Sequence, residues 1–185
     1  SGTVTISNTT SPVTTVTGVA AGSAATLRWT ISNGVCANST DDITVQNDAL
    51  PTVADAGADI LVCNSNTVNL AANNPVSGSG VWTIVSGSAT IADPSSPTSA
   101  VTDVPHPPGV TLQWTIANGT CPASSDEVTL KNHQLPTSTV GPDQENCNSG
   151  NFTLNATGPS AGMGMWTVES GTAVITDNML RNTTV

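Results

Sequence analysis

The sequence repeats itself with a period of 84 to 85 residues, and this constrains the fold more than any other feature. Residues 25–36 recur as residues 110–121 at an offset of 85, with a Trp-Thr-Ile core in both copies. Residues 81–87 recur as residues 165–171 at an offset of 84, and Cys63 recurs as Cys147. Each period therefore encodes one structural unit that occurs more than once.

The period also divides the chain. Leu50-Pro51 and Leu135-Pro136 stand at equivalent positions and mark two boundaries. Residues 51–132 then make one complete unit, whereas residues 1–47 match the second half of a unit and residues 136–185 the first half. Ser1-Gly2 corresponds to Ser86-Gly87 one period earlier. We interpret the sequence as a section of a longer tandem array, in which neighbouring parts of the same chain complete the two half units.

Alternation of apolar and polar residues predicts β-strands throughout the complete unit. Val110, Leu112, Trp114 and Ile116 fall on one face of a strand. Asn118-Gly119 follows and predicts a hairpin with a type I′ turn, because both residues tolerate positive φ. Seven short strands in one period predict an all-β fold, a two-sheet sandwich of immunoglobulin-like type. The predicted strands are 54–62, 67–71, 80–85, 89–92, 100–104, 110–117 and 125–131.

The charge balance excludes nucleic-acid binding. The chain has 3 Lys and Arg against 13 Asp and Glu, a net charge of −10. Binding to phosphate backbones needs clustered cations, and Arg28, Lys131 and Arg181 are far apart in the sequence. No apolar run reaches the length of a membrane-spanning helix, so we expect no membrane insertion. This segment also contains no signal-peptide pattern.

Each full period carries two cysteines, which predicts one disulfide per unit in an oxidising compartment. The preferred pairing joins Cys63 to Cys121, with Cys36 and Cys147 paired outside this sequence. Cys63 follows the first predicted strand and Cys121 the sixth, and in a simple sandwich those two turns lie at opposite ends. A bridge between adjacent units therefore remains an alternative, as do free thiols.

The sequence contains no catalytic constellation, and we predict no enzymatic activity. A serine nucleophile needs a base within hydrogen-bond reach, but the two imidazoles are isolated. His106 stands in a Pro-rich stretch and His133 in the predicted linker. The repeat replaces them with Ala21 and Asp48 in the first unit. We expect both histidines to be exposed loop residues.

Carboxylates cluster where units join, and they are the weak metal candidates of the chain. Asp55, Asp59, Asp126 and Glu127 would offer the oxygen ligands that Ca²⁺ takes. Their spacing matches no calcium loop, however, and solvated acidic residues are the preferred interpretation. We expect no other cofactor.

The ordered motifs of the period resemble a known family. They run Pro-Thr-x-Ala-Asp-Ala-Gly-x-Asp at 51–59, Cys at 63, Val-x-Leu at 68–70, Trp-Thr-Ile-x-Ser-Gly at 82–87, Leu-x-Trp-Thr-Ile-x-Asn-Gly-x-Cys at 112–121 and an acidic pair at 126–127. This pattern resembles the PKD-like, immunoglobulin-like repeats of giant cell-surface adhesins of Bacteroidota, including gliding-motility adhesins of Flavobacterium. It departs at Gly141-Pro142, where the complete unit has Gly57-Ala58.

The resemblance implies tandem PKD-like β-sandwich repeats in an extracellular filament at the outer-membrane surface, exported by type IX secretion. The expected function is that of a stalk or spacer in surface adhesion and gliding motility. The implied partners are neighbouring repeats, the gliding and type IX secretion machinery acting through the parent protein, and surface polysaccharide or substratum at the distal tip. The alternative is a carbohydrate- or ligand-binding accessory module of a secreted multidomain enzyme.

Overall fold

A computed structural model describes residues 4–185, so the predicted counterpart Ser1-Gly2 lies outside the described residues. All regular secondary structure within that range consists of β-strands, which confirms the all-β prediction. The strands are β1 (Thr5–Ile6), β2 (Val16–Thr17), β3 (Ser23–Ile31), β4 (Ser39–Asn47), β5 (Ile60–Cys63), β6 (Thr67–Asn69), β7 (Ser79–Ser86), β8 (Thr90–Ile91), β9 (Ala100–Thr102), β10 (Val110–Ala117), β11 (Ser124–His133), β12 (Thr153–Asn155) and β13 (Asn182–Thr184).

Residues 51–133, the central segment, contain two sheets that share one core. The four-stranded sheet has the order β5-β11-β10-β7, and the three-stranded sheet has the order β6-β9-β8. All pairs are antiparallel except β5 with β11, which run parallel. Each of the seven predicted strands therefore has an observed counterpart, and the fold is sandwich-like.

The core of the central segment forms because β10 alternates between its two faces. Its apolar positions point between the sheets and are fully buried, and the intervening Thr and Gln residues face outward. Trp82 of β7 and Trp114 of β10 meet with ring centroids 5.1 Å apart and ring planes at 42°. Burying one such large apolar side chain contributes about 1.5–3 kcal/mol. The innermost residues are Trp82, Val101, Val110, Leu112, Trp114, Ile116, Val128 and Leu130.

The first predicted strand is shorter than expected. Only Ile60–Cys63 of the predicted 54–62 joins a sheet ladder. Upstream, the amides of Ala54 and Ala56 donate to side chains of β11, namely Ser124 Oγ at 2.9 Å and Asp126 Oδ2 at 2.8 Å. Gly57 then adopts a φ of +82°, which no strand residue uses. This segment is therefore fixed by side-chain acceptors instead of a backbone ladder.

The hairpin predicted at Asn118-Gly119 exists, but its turn is not type I′. β10 and β11 pair antiparallel on either side of residues 118–123, a longer loop than the two-residue turn that was predicted. Gly119 has a φ of +55°, whereas Asn118 is not among the residues with positive φ. The Cys121 amide closes the loop on the Asn118 carbonyl at 3.2 Å.

Hydrogen-bond patterns recur along the chain at the period of the sequence. The hairpin β3–β4 pairs Trp29 with Asp41, and β10–β11 pairs Trp114 with Asp126 in the same register. In the first half of the unit, the Trp82 indole N–H donates to the Ser96 carbonyl at 3.1 Å. The Trp166 indole makes the same 3.1 Å bond to Leu180. Residues 4–47, the leading segment, and residues 136–185, the trailing segment, thus reproduce local geometry of the central segment.

The matching positions differ in burial. Trp114 is fully buried, whereas its counterpart Trp29 in the leading segment is 40% exposed. Ile116 is likewise fully buried, and its counterpart Ile31 is 60% exposed. In the central segment both positions belong to one core cluster with Val68 of β6 and Val101 of β9. The leading segment matches only the second half of that unit in sequence. Its apolar face is therefore open.

This difference makes a matched pair of substitutions informative. Ile116→Ala removes a fully buried side chain and should lower the free energy of unfolding of the central segment by about 2–5 kcal/mol. Ile31→Ala, one period earlier on an open face, should change stability by no more than about 0.5 kcal/mol. Urea denaturation followed by NMR signals of each segment measures both. Equal costs at the two positions would contradict this account of the core.

Candidate functional site

The structure does not bring Cys63 and Cys121 together. Cys63 ends β5 and lies in register with His133, the last residue of β11. Cys121 lies in the loop before Ser124, the first residue of that ten-residue strand. A strand of this length spans about 33 Å, and a disulfide needs Cα atoms within about 7 Å. The structure leaves all four cysteines unpaired and places Cys63 and Cys121 at opposite ends of β11.

The four calcium candidates also do not form one cluster. Asp59 Oδ1 accepts the Thr129 amide at 2.8 Å, and Asp126 Oδ2 is bonded to the segment 54–56. Asp55 accepts a hydrogen bond from the Gly57 backbone amide at 2.9 Å. Glu127 accepts one from the Gln113 side-chain amide at 3.3 Å. Within residues 4–185 no three His, Cys, Asp or Glu residues are placed to hold a metal ion. Asp59 and Asp126 instead join the start of the central segment to β11.

The two histidines are exposed, as the sequence predicted. His106 lies in a loop, and its Nδ1 is 3.0 Å from the Asn132 carbonyl. His133 does not lie in a linker as expected, because it is the final residue of β11. Neither imidazole has a serine hydroxyl among its hydrogen-bond partners in the described chain.

The densest set of contacts between segments lies where the chain enters the central segment. Here Asp48 and Ala49 meet the loop 118–121, and we call this set the entry junction. The Thr120 amide and hydroxyl donate to Asp48 Oδ2 at 2.8 and 3.1 Å. The Asn118 side-chain amide donates to the Ala49 carbonyl at 2.8 Å. Cys121 Sγ lies 3.6 Å from the Asp48 carbonyl oxygen.

Gly119 explains why this loop can receive Asp48. Its φ of +55° favours glycine, and a Cβ at this position would collide with the Asp48 carboxylate. Gly34 occupies the same place one period earlier with a φ of +53°, and there a Cβ would meet nothing within 4 Å. The two glycines thus share a backbone conformation, but only Gly119 has a neighbour pressed against it.

The hydrogen bonds of the entry junction also change the pKa of Asp48. Hydrogen bonds from the Thr120 amide, and then from Gln46, lower the pKa of Asp48 below its ordinary value of 3.8. A carboxyl group whose pKa is lowered in the fold stabilises that fold above its unfolded pKa. The contribution of Asp48 is therefore complete above about pH 4. It is lost as the pH falls through the lowered pKa of Asp48.

Sequence reasoning did not single out Asp48 or Thr120, although a signal for the loop was present. Asn-Gly-x-Cys is among the best-preserved parts of the repeat, at residues 33–36 and 118–121. A hairpin turn alone would not need to keep a cysteine two residues after its glycine. The acceptor Asp48 carried no such signal, because the next period has His133 in its place.

Several cavities of the described chain lie in the trailing segment. One of about 340 Å³ is lined by Val140, Met165, Trp166 and Leu180, among others. Trp166 corresponds in the repeat to Trp82, which is buried in the core of the central segment. The cavity lining also includes Arg181 and several Ser and Thr residues.

No protein-family model matches the chain, and no curated protein matches it significantly. Among the described residues, no helix has the length and apolar character needed to cross a membrane.

The contact between Gly119 and Asp48 gives a direct test of the entry junction. In Gly119→Ala the new methyl group should displace the Asp48 carboxylate from Thr120, so the pKa of Asp48 should rise towards its ordinary value. Gly34→Ala is the matched control, since it places the same strain in the same turn without touching Asp48. NMR titration of the Asp48 side chain measures the pKa in both variants. An unchanged pKa in Gly119→Ala would show that the contact does not exist in solution.

Proposed function

We propose that this chain is a section of a tandem array of immunoglobulin-like, PKD-like β-sandwich units that acts as the stalk of a long extracellular cell-surface adhesin. In this proposal the units supply reach and stiffness, and adhesion takes place elsewhere in the parent protein. The residue pattern that resembles adhesin repeats of Bacteroidota is the sequence support. The surface location, the type IX secretion route and the role in gliding are parts of the same proposal.

One geometric observation carries the proposal: the chain enters and leaves the central segment at opposite ends. The entry junction lies beside the loop that precedes Ser124, at the start of β11. The chain leaves after His133, at the far end of β11. Entry and exit are therefore separated by about 33 Å, the length of the strand. Units connected in this way follow each other in series instead of folding back, as a spacer requires.

The recurrence of local geometry supports the same conclusion. The leading segment repeats the junction loop, with Gly34 at positive φ and the Cys36 amide bonded to the Asn33 carbonyl at 3.0 Å. In the trailing segment, the Asp177 backbone amide donates to the Thr183 hydroxyl. The Asp93 amide of the central segment donates to the Ser99 hydroxyl in the same way. A period that preserves both core bonds and junction turns is typical of repeat proteins, in which each unit contacts its neighbours.

The strand order of the central segment supports the immunoglobulin-like assignment. The chain crosses several times between the sheets β5-β11-β10-β7 and β6-β9-β8. The first, third, sixth and seventh strands form one sheet, and the second, fourth and fifth form the other. The immunoglobulin constant-type sandwich likewise groups its third, sixth and seventh strands in one sheet and its second, fourth and fifth in the other. The first strand differs, because here it pairs in parallel with the seventh.

Immunogold electron microscopy of the parent organism tests the stalk directly. An antibody against residues 51–133 should label filaments on the surface of intact cells along their length. Cells of the same strain without type IX secretion are the control, and they should lack surface label. Label released as a soluble protein, with no filament, would contradict the stalk and would favour a module of a secreted enzyme.

A further inference from the structure

The two cysteines of the period lie at opposite ends of a unit, and each end faces a junction. Cys63 lies beside His133, where the chain leaves the central segment. Cys121 lies beside Asp48, where the chain enters it. Asp48 and His133 occupy the same place in consecutive periods. Both cysteines are therefore placed beside the same structural position, one from the unit that ends there and one from the unit that begins there.

The contacts at this position involve one carbonyl group. The Asn64 amide, which directly follows Cys63, donates to the His133 carbonyl at 2.8 Å. One period earlier, Cys121 Sγ lies 3.6 Å from the Asp48 carbonyl. A carbonyl oxygen has two lone pairs and accepts both contacts. When the two observations are combined on one junction, the turn that carries Cys63 and the sulfur of Cys121 meet at a single oxygen.

The local structure around each cysteine is reproduced, so this combination is justified. Asn64 after Cys63 has a φ of +48°, and Asn148 after Cys147 has a φ of +55°. The loops ending in Cys36 and Cys121 share the closing bond between the Cys amide and the carbonyl three residues earlier, at 3.0 and 3.2 Å.

The turn after Cys63 is also held firmly against the end of β11. The buried Asn132 side chain accepts the Ser65 amide at 3.1 Å and donates to the Ser65 carbonyl at 2.9 Å. Asn47 occupies the matching place in the leading segment and donates to the Val19 carbonyl, as Asn132 does to that of Val104. The position of Cys63 is thus fixed by the unit to which it belongs.

We propose that these cysteines form a disulfide across each junction, between the position of Cys63 in one unit and the position of Cys121 in the next. This inference rests on the proposed tandem array. In this arrangement the partners of Cys63 and Cys121 lie in the two neighbouring units, which is consistent with their placement at opposite ends of the central segment. The bridge would connect successive units covalently beside the linker, so that a junction resists bending and survives a cut in the linker.

The reaction is an ordinary thiol–disulfide exchange. Two thiols lose two protons and two electrons as the S–S bond forms, and a low-molecular-weight disulfide accepts them and leaves as two thiols. Cys63 is exposed and Cys121 is half-buried, so both sulfurs are accessible to such an oxidant before the units close on each other.

The test uses the full chain, extended after Val185 by a second copy of residues 102–133, which completes the trailing unit in the frame of the repeat. After treatment with oxidised glutathione, free thiols are alkylated under denaturing conditions and counted by mass spectrometry. Of the five cysteines, we expect three free thiols and one bridge between Cys63 and the added copy of Cys121.

Matched variants assign the bridge. Cys63→Ser, or Cys121→Ser in the added copy alone, should abolish it, whereas Cys147→Ser and Cys121→Ser in the original position should leave it intact. Five free thiols, or a bridge that survives Cys63→Ser, would overturn the proposal.

Amide hydrogen exchange of β12 separates this inference from the proposed function. Protection of β12 by the added copy, together with five free thiols, would refute the disulfide and leave the tandem array standing. Failure of the added copy to protect β12 would refute the array and the disulfide together.

Discussion

The strand β11 is the element on which the rest of the structure depends. It lies between β5 and β10, so it holds the four-stranded sheet together. Its side chains Val128 and Leu130 are buried in the core, and Asp126 fixes the segment that precedes β5. Its two ends define where the chain enters and leaves the central segment. A shorter strand would weaken the core and bring the two junctions closer, so stability and length are set by the same ten residues.

The acidic composition acts at a different scale from the core. A net charge of −10, with few cations to balance it, keeps such a chain soluble and makes its units repel each other at low salt. The described ion pair, Arg28 with Asp42 at 2.7 Å, lies on an exposed face and contributes little to stability. Attraction at the entry junction comes instead from hydrogen bonds of backbone and amide groups to Asp48 and Ala49. Short-range polar contacts can hold neighbouring segments together while long-range charge keeps separate chains apart.

The sequence predicted most of the strands, because the alternation of apolar residues along β10 and the period of the repeat can be read from the residue types alone. The same patterns could not show that residues 54–59 leave the ladder, since that depends on side-chain acceptors in β11, about 70 residues further on. The junction was harder still. Asp48 is an ordinary exposed acid in the sequence, and only the folded loop reveals that Thr120 donates to it. The cysteine pairing could not be predicted for a related reason, because parity counts cysteines but does not show at which end of a sandwich each one lies.

Small-angle X-ray scattering of chains with two, three and four consecutive copies of residues 51–135 tests the serial arrangement most directly. If entry and exit lie at opposite ends of each unit, the maximum dimension should grow by a constant increment of about 35 Å per copy. The profile should remain that of a rod. A maximum dimension that stays nearly constant as copies are added, with a rising cross-section, would show that the units fold back on each other and would contradict the account.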